Sequence, residues 1–213
     1  MEGEVHIPIG LAAAGAVSLV VPVMQPHSFG AVMSAAVCGA VGALTPDIDA
    51  NGDSKMKRQF RKFVSLMVLA VAVGIWCGEP LKVLSGLEWW NIIGAVALVI
   101  CYGYGYTRKH RGFTHELRGL AVFCVPAFLL LGVTDGLWFF VGMLSHQLAD
   151  MCNYGKIYWL NPVDPERSFS RGWFRGSSLT SQLIGAVSWL VFIGVLSMYL
   201  KGGAIGGMVF GIR

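Results

Sequence analysis

Seven apolar stretches, each bounded by Pro, Gly or charge, run along the chain at residues 7–23, 28–44, 63–81, 90–106, 119–133, 136–151 and 179–200. Several are shorter than the roughly 20 residues a lone spanning helix needs, which suits a bundle whose helix ends are buried in protein. The expectation is an all-α fold, a polytopic membrane helix bundle of about seven helices. Composition supports it: with 55% hydrophobic and 13% charged residues among 213, the chain is too apolar for an ordinary soluble domain.

No repeat or low-complexity tract divides residues 1–213, so they are read as one membrane-embedded domain. The longest polar segment, 153–178, contains Asn161-Pro162, Asp164-Pro165, Gly172 and Gly176, which predicts a structured loop. Glu2 and Glu4, not a cationic region, precede the first stretch, so it is expected to stay as the first span. Cys38, Cys77, Cys101, Cys124 and Cys152 are scattered without a Cys-x-x-Cys pair and read as small buried hydrophobes.

Charge adds orientation. Lys55, Lys57, Arg58, Arg61 and Lys62 follow the second stretch, Arg108, Lys109, Arg111 and Arg118 the fourth, and Lys156, Arg167, Arg171 and Arg175 the sixth. Thirteen of the 16 cationic residues thus share one side, leaving Lys82, Lys201 and Arg213 on the other. That bias predicts a cell-membrane protein with a cytoplasmic N-terminus and cytoplasmic basic loops. The net charge of +4 says little about nucleic acid, because topology alone accounts for it and the same face attracts anionic lipid.

Ionisable groups are otherwise sparse and clustered. Four of the five histidines and three of the 12 acidic residues fall in His6, Pro46-Asp47-Ile48-Asp49, His110-Arg111-Gly112-Phe113-Thr114-His115 and His146-Gln147-Leu148-Ala149-Asp150. Each patch sits at a helix end on the predicted cytoplasmic side, so seven potential ligands share one membrane face. Such groups are costly near lipid without a partner, and a metal ion would satisfy them all.

Each patch also has a plainer explanation. His146 and Asp150, four residues apart, stack on one helix face and can bind an ion or simply hydrogen-bond each other. Asp47 and Asp49 follow a helix-ending Pro46 and can reach an ion or cap a turn with Asn51-Gly52-Asp53. His110 and His115 flank a flexible Gly112, with Thr114 placed to cap the next helix, and the alternative is a merely basic loop. His6 alone is an ordinary helix-start histidine and takes its weight from its side, whereas His27 is on the other face and has no role. Imidazole and carboxylate without thiolate suit zinc first and manganese second, with enough groups for one or two ions.

The order His, Pro-Asp-Ile-Asp, His-Arg-Gly-Phe-Thr-His, His-x-x-x-Asp, running from His6 to about Pro162, resembles the YdjM-like family of predicted membrane-bound metal-dependent hydrolases. That family looks related to zinc-dependent phospholipase C and fungal-type single-strand nucleases. The resemblance implies an inner-membrane phosphoesterase with His6, Asp47, Asp49, His110, His115, His146 and Asp150 as ligands or their supports. Glu116 departs from the Ser usual after the second histidine and is open as a base or as a partner of Arg118. Arg111 is the first candidate for stabilising phosphoryl charge, by analogy with arginine clamps.

The expected substrate is a phosphoester, a phospholipid or single-stranded nucleic acid, cleaved by metal-activated water. The segment Arg167-Ser168-Phe169-Ser170-Arg171-Gly172-Trp173-Phe174-Arg175 alternates cationic and aromatic residues, as a substrate loop or an interfacial anchor does. Two rivals stand beside the hydrolase. A transporter needs charged groups near the bilayer midplane, and the middles of all seven stretches lack Asp, Glu, Lys, Arg and His. A non-catalytic membrane module that binds metal, lipid or a partner protein fits the same residues.

Overall fold

A computed structural model describes residues 3–49, 88–161, 163–164, 166–173 and 178–209. The expected span 63–81, Asn51-Gly52-Asp53, the Lys55 to Lys62 run, Cys77, Lys82, Pro162, Pro165, Phe174, Arg175, Gly176 and Arg213 lie outside them. The described residues are helical: α1 (Gly3–Ser18), α2 (Phe29–Leu44), α3 (Trp89–Tyr106), α4 (Leu117–Met151) and α5 (Leu179–Val209), with 3-10 turns at Pro22–Met24, Thr45–Asp49 and Phe113–His115. Three segments are long and apolar enough to cross a membrane, Gly30–Asp49, Leu117–Met151 and Leu179–Lys201.

The all-α membrane fold stands, and among the described residues the count of seven is not supported. Five α-helices are described: the expected fifth and sixth stretches fall in the single element α4, and the third, 63–81, lies outside the described residues. Thr134 and Asp135 read as a break in sequence, yet the backbone leaves helical angles at Gly132, which takes φ 78° and ψ −176°. A straight 35-residue helix would run roughly 50 Å. His115, just before its start, lies 3.5 Å from Asp150 near its end. The helix therefore doubles back at Gly132 into two antiparallel arms, 117–131 and 133–151, at a backbone angle that glycine adopts without a Cβ clash.

Side chains close the carbonyls that these breaks release. Asn91 donates to Leu129 O (2.8 Å) and Leu130 O (3.2 Å), just before the reversal. Pro126 has no N–H for Val122 O, and the Cys101 thiol approaches that carbonyl at 3.6 Å. On the other side of the reversal, Thr134 donates to Val23 O and Trp138 to Met24 O, pinning the second arm to the α1–α2 connection.

Near-contact of backbones sets the register of α1, α2 and the second arm. A Cβ on Gly42 would stand 2.0 Å from Phe139 O, one on Gly142 2.1 Å from Gly39 O, and one on Gly10 2.5 Å from the Ala43 Cβ. Where lipid removes the hydrophobic drive between helices, such small-residue contacts let dispersion and backbone dipoles hold them together. Trp138, Phe139, Met143, Ala14 and Ala35 fill the space beside them. The α3 helix packs on the first arm, and α5 lies along α1, with Ser18 and Tyr199 hydroxyls 2.7 Å apart.

This path brings the start of α1, the end of α2, the α3–α4 connection and the end of α4 to one end of the bundle. Asp49 is at that end, while Glu88 begins α3 beside the reversal at the other. Gly42→Val is expected to destabilise the protein by about 1–3 kcal/mol or more through overpacking. Gly103, with open space around its Cβ position, should accept Ala with little change. Thermal unfolding in detergent checks both, and equal melting points would contradict the packing argument.

Candidate metal centre

The closeness of α2 to the second arm puts the 3-10 turn Thr45–Asp49 directly against the last turns of α4. His6, Asp49, His115 and His146 are fully buried, Asp150 is 2% exposed and Asp47 8%. Two groups offer ligand atoms all within 4.8 Å of one another, His6 with Asp47 and His146, and His115 with His146 and Asp150. His146 belongs to both.

Neighbours fix what each imidazole presents. Ala43 O is one of the carbonyls a helix end leaves without an intrahelical partner, and it accepts from His146 Nδ1 at 2.6 Å. A carbonyl can only accept, so Nδ1 carries the proton and the neutral ring turns the Nε2 lone pair inward. That lone pair faces Asp47 Oδ1 at 3.6 Å and Asp150 Oδ2 at 4.0 Å. The His6 ring stacks on His146 with centroids 3.7 Å apart and its Nε2 is 3.3 Å from Asp150 Oδ1.

His115 is arranged in the same way from the opposite side. Its Nδ1 lies 3.3 Å from Asp49 Oδ2, and Thr114 donates to that oxygen at 2.5 Å. Nε2 then faces Asp150 Oδ2 at 3.5 Å. With no ion, burial pulls the His115 pKa down, but the nearby carboxylates of Asp150 and Asp49 outweigh it and hold it up at about 9. A proton there does part of the work of a cation.

The test of fit is the set of buried nitrogens left over. Nδ1 and Nε2 of His6, Nε2 of His115 and Nε2 of His146 have no hydrogen-bond partner among the described residues. Lone pairs converging on carboxylates in a buried pocket repel unless a cation or proton lies between them. A mixed imidazole–carboxylate set of this kind suits zinc or manganese.

Five of the seven expected ligands therefore converge: His6, Asp47, His115, His146 and Asp150. Asp49 and His110 stand behind them. Asp49 supports His115, and the half-exposed His110 holds the other Asp49 oxygen at 2.8 Å through Nδ1. Such carboxylate–histidine pairs orient a ligand and raise its basicity.

Arg111 approaches the centre more directly, with Nη2 3.6 Å from Asp150 Oδ2 and a side chain 23% exposed. It adopts φ 62°, costly for a residue with a Cβ, and its guanidinium occupies the space where a Gly155 side chain would be. Glu116 is buried and its two oxygens bond Arg118 and Asn161, which accounts for it as a partner and not as a free base.

Gln147, Asn153, Trp159 and Asn161 were not singled out in the sequence. Buried Gln147 donates to Thr114 O and Glu116 O and accepts from Trp159, locking the His110–His115 connection onto α4. Asn153 donates to Asp150 Oδ1 at 2.8 Å. The polar segment is structured as expected, with Ile157 and Phe169 paired in both directions and Arg171 bonded back to Met151 O. A polar residue flanked by ligands on an otherwise apolar helix was the one available signal for Gln147.

Protein purified in mild detergent is expected to take up zinc or a similar divalent ion. Ala at His115, His146 or Asp150 should remove most of the binding, and Asp49→Ala should weaken it about 10–100-fold as an outer support. His27→Ala should change nothing. Metal analysis and competition titration check the order, and equal content in all the variants would refute it.

No curated protein and no solved structure matches the chain. From the first residue to within a few of the last, over residues 1–210, it matches the family described as YdjM inner membrane protein, and it belongs to that family.

Proposed function

We propose that the protein is a membrane-bound, metal-dependent hydrolase of phosphoesters working at the cytoplasmic face of the inner membrane. The observation that carries this reading is the convergence of three buried imidazoles, with four nitrogens that have no hydrogen-bond partner among the described residues, on the carboxylates of Asp47 and Asp150. His6, Asp47 and His146 would hold one ion, and His115, His146 and Asp150 offer a second or alternative position. When bound, such an ion supplies Lewis acidity toward a phosphoryl oxygen and acidifies water.

The chain's own groups do the rest. Asp49 and Ala43 O hold His115 and His146 in the tautomers that present Nε2. Asn153 fixes Asp150, and buried α1, α2 and α4 exclude bulk water from the inner side. Arg111 is the cation placed to bind a phosphoryl group entering from the exposed side, held by Gly155 and by its own αL backbone. Its planar fork suits a bidentate grip.

Metal-loaded wild type should hydrolyse at least one member of a panel of phospholipids, single-stranded nucleic acids and an aryl phosphodiester. Asp150→Ala should abolish turnover, and Arg111→Ala should lower kcat about 10–1000-fold while leaving metal content largely intact. Turnover no higher than that of Asp150→Ala on every substrate would replace this reading with a metal-binding membrane module.

Orientation is tested separately. The cationic bias predicts that a cysteine at Lys109 or Arg171 is shielded from an impermeant reagent in intact cells while one at Glu88 reacts. Rapid labelling at the first two positions would move the site to the other face.

A further inference from the structure

The depth of the cluster in the bundle limits what can reach it. The α5 helix runs parallel to α1, with Gly185 against Val5 and Pro8, and Gly15 against Val195. His6 is therefore level with about residue 186 of α5. At and beyond that level α5 still exposes Val187 (57%), Leu183 (57%) and Leu179 (71%). At about 1.5 Å per residue, Leu179 stands roughly 10 Å further out than His6 along the bundle. In α4, Leu148 lies between His146 and Asp150 on the outer face and is 48% exposed. The turn that carries two ligands thus has an apolar back.

Aromatic and cationic side chains lie at the same end. Tyr104 and Tyr106 close α3, with the Arg108 guanidinium 3.9 Å over the Tyr104 ring. Arg171 lies over Trp173, which is 64% exposed. Such residues collect where hydrocarbon meets headgroups. The buried cluster, with the partly exposed Arg111 beside Asp150, is then at or just below the depth of lipid phosphates.

We infer that the substrate is an amphiphile drawn from the bilayer, whose headgroup phosphoester reaches Arg111 and the buried cluster while its chains stay in lipid. This rests on the hydrolase reading. Hydrolysis adds water across one P–O ester bond: water's oxygen bonds phosphorus, the bond to the alcohol oxygen breaks, and the alcohol leaves with one proton while the other goes to solvent. A water-soluble phosphoester of the same headgroup has no such route of concentration at the site.

The test compares a long-chain phosphatidylglycerol and phosphatidylethanolamine, in mixed micelles and in vesicles of the two, with their deacylated glycerophosphodiesters and an aryl phosphodiester. Metal-loaded wild type is expected to turn over at least one long-chain lipid about 100-fold faster than its deacylated form at equal bulk concentration, the gain coming from effective concentration in the surface. Cleavage of aryl or deacylated substrates at rates equal to or above those of both lipids overturns the lipid assignment and leaves the hydrolase reading standing. No turnover of any substrate overturns both. Native mass spectrometry of the metal-free protein reads binding apart from turnover. Phospholipid adducts are expected on wild type, several-fold fewer on Arg111→Ala and an intermediate number on Arg111→Lys. Equal adducts on all three overturn the headgroup contact.

Discussion

Three helix backbones must touch for the site to exist. Gly10, Gly39, Gly42 and Gly142 remove the side chains that would hold α1, α2 and the second arm of α4 apart, and even a Cβ at Gly42 would meet Phe139 O at 2.0 Å. Only at that spacing does Asp47, one turn past α2, fall beside His146. Ala43 joins the two requirements in one residue, because its methyl packs at Gly10 while its carbonyl holds His146 Nδ1. Metal geometry tolerates errors of only a few tenths of an ångström, so the site inherits its precision from this packing.

What the sequence makes legible is what local periodicity and side-counting encode. His146 and Asp150 share a helix face by their spacing, and His6, the Pro-Asp-Ile-Asp turn and the His110–His115 segment share an end because each falls at the same side of alternating spans. The division between inner and outer residues is not local. Asp47 and Asp49 are equivalent in sequence, and they are separated in role by the 3-10 turn, which aims Asp47 at His146 and Asp49 at His115. His110 and His115 diverge likewise, since Arg111 in the αL region turns the chain between them.

The reversal in α4 is legible in the sequence as the break between the fifth and sixth stretches, but the residue that makes it is not. Thr134 and Asp135 interrupt the apolar pattern but keep helical backbone angles, and Gly132, inside the expected stretch 119–133, is the residue that leaves them. A glycine in an apolar run is compatible with close packing, as at Gly142, or with positive φ, as at Gly132. Composition does not separate these uses. The partners do: Asn91 takes up carbonyls only at the reversal.

Buried charge in this bundle differs from an ordinary internal ion pair. A simple pair would leave each imidazole nitrogen bonded and the carboxylates neutralised, and replacing it with apolar residues would cost little. Here the tautomers are set from outside, by Ala43 O on His146 and by Asp49 on His115, so that acceptors face acceptors. The supporting bonds hold the imidazoles in a repulsive arrangement when no ion is present, relieved in part by the proton that His115 holds up to a pKa of about 9. Arrangements that are unfavourable when empty persist where function requires them. The same reasoning separates Arg111 from the arginine nearby: Arg118 has Glu116 as a close, buried carboxylate partner, whereas Arg111 stands 3.6 Å from a carboxylate already shared by three histidines.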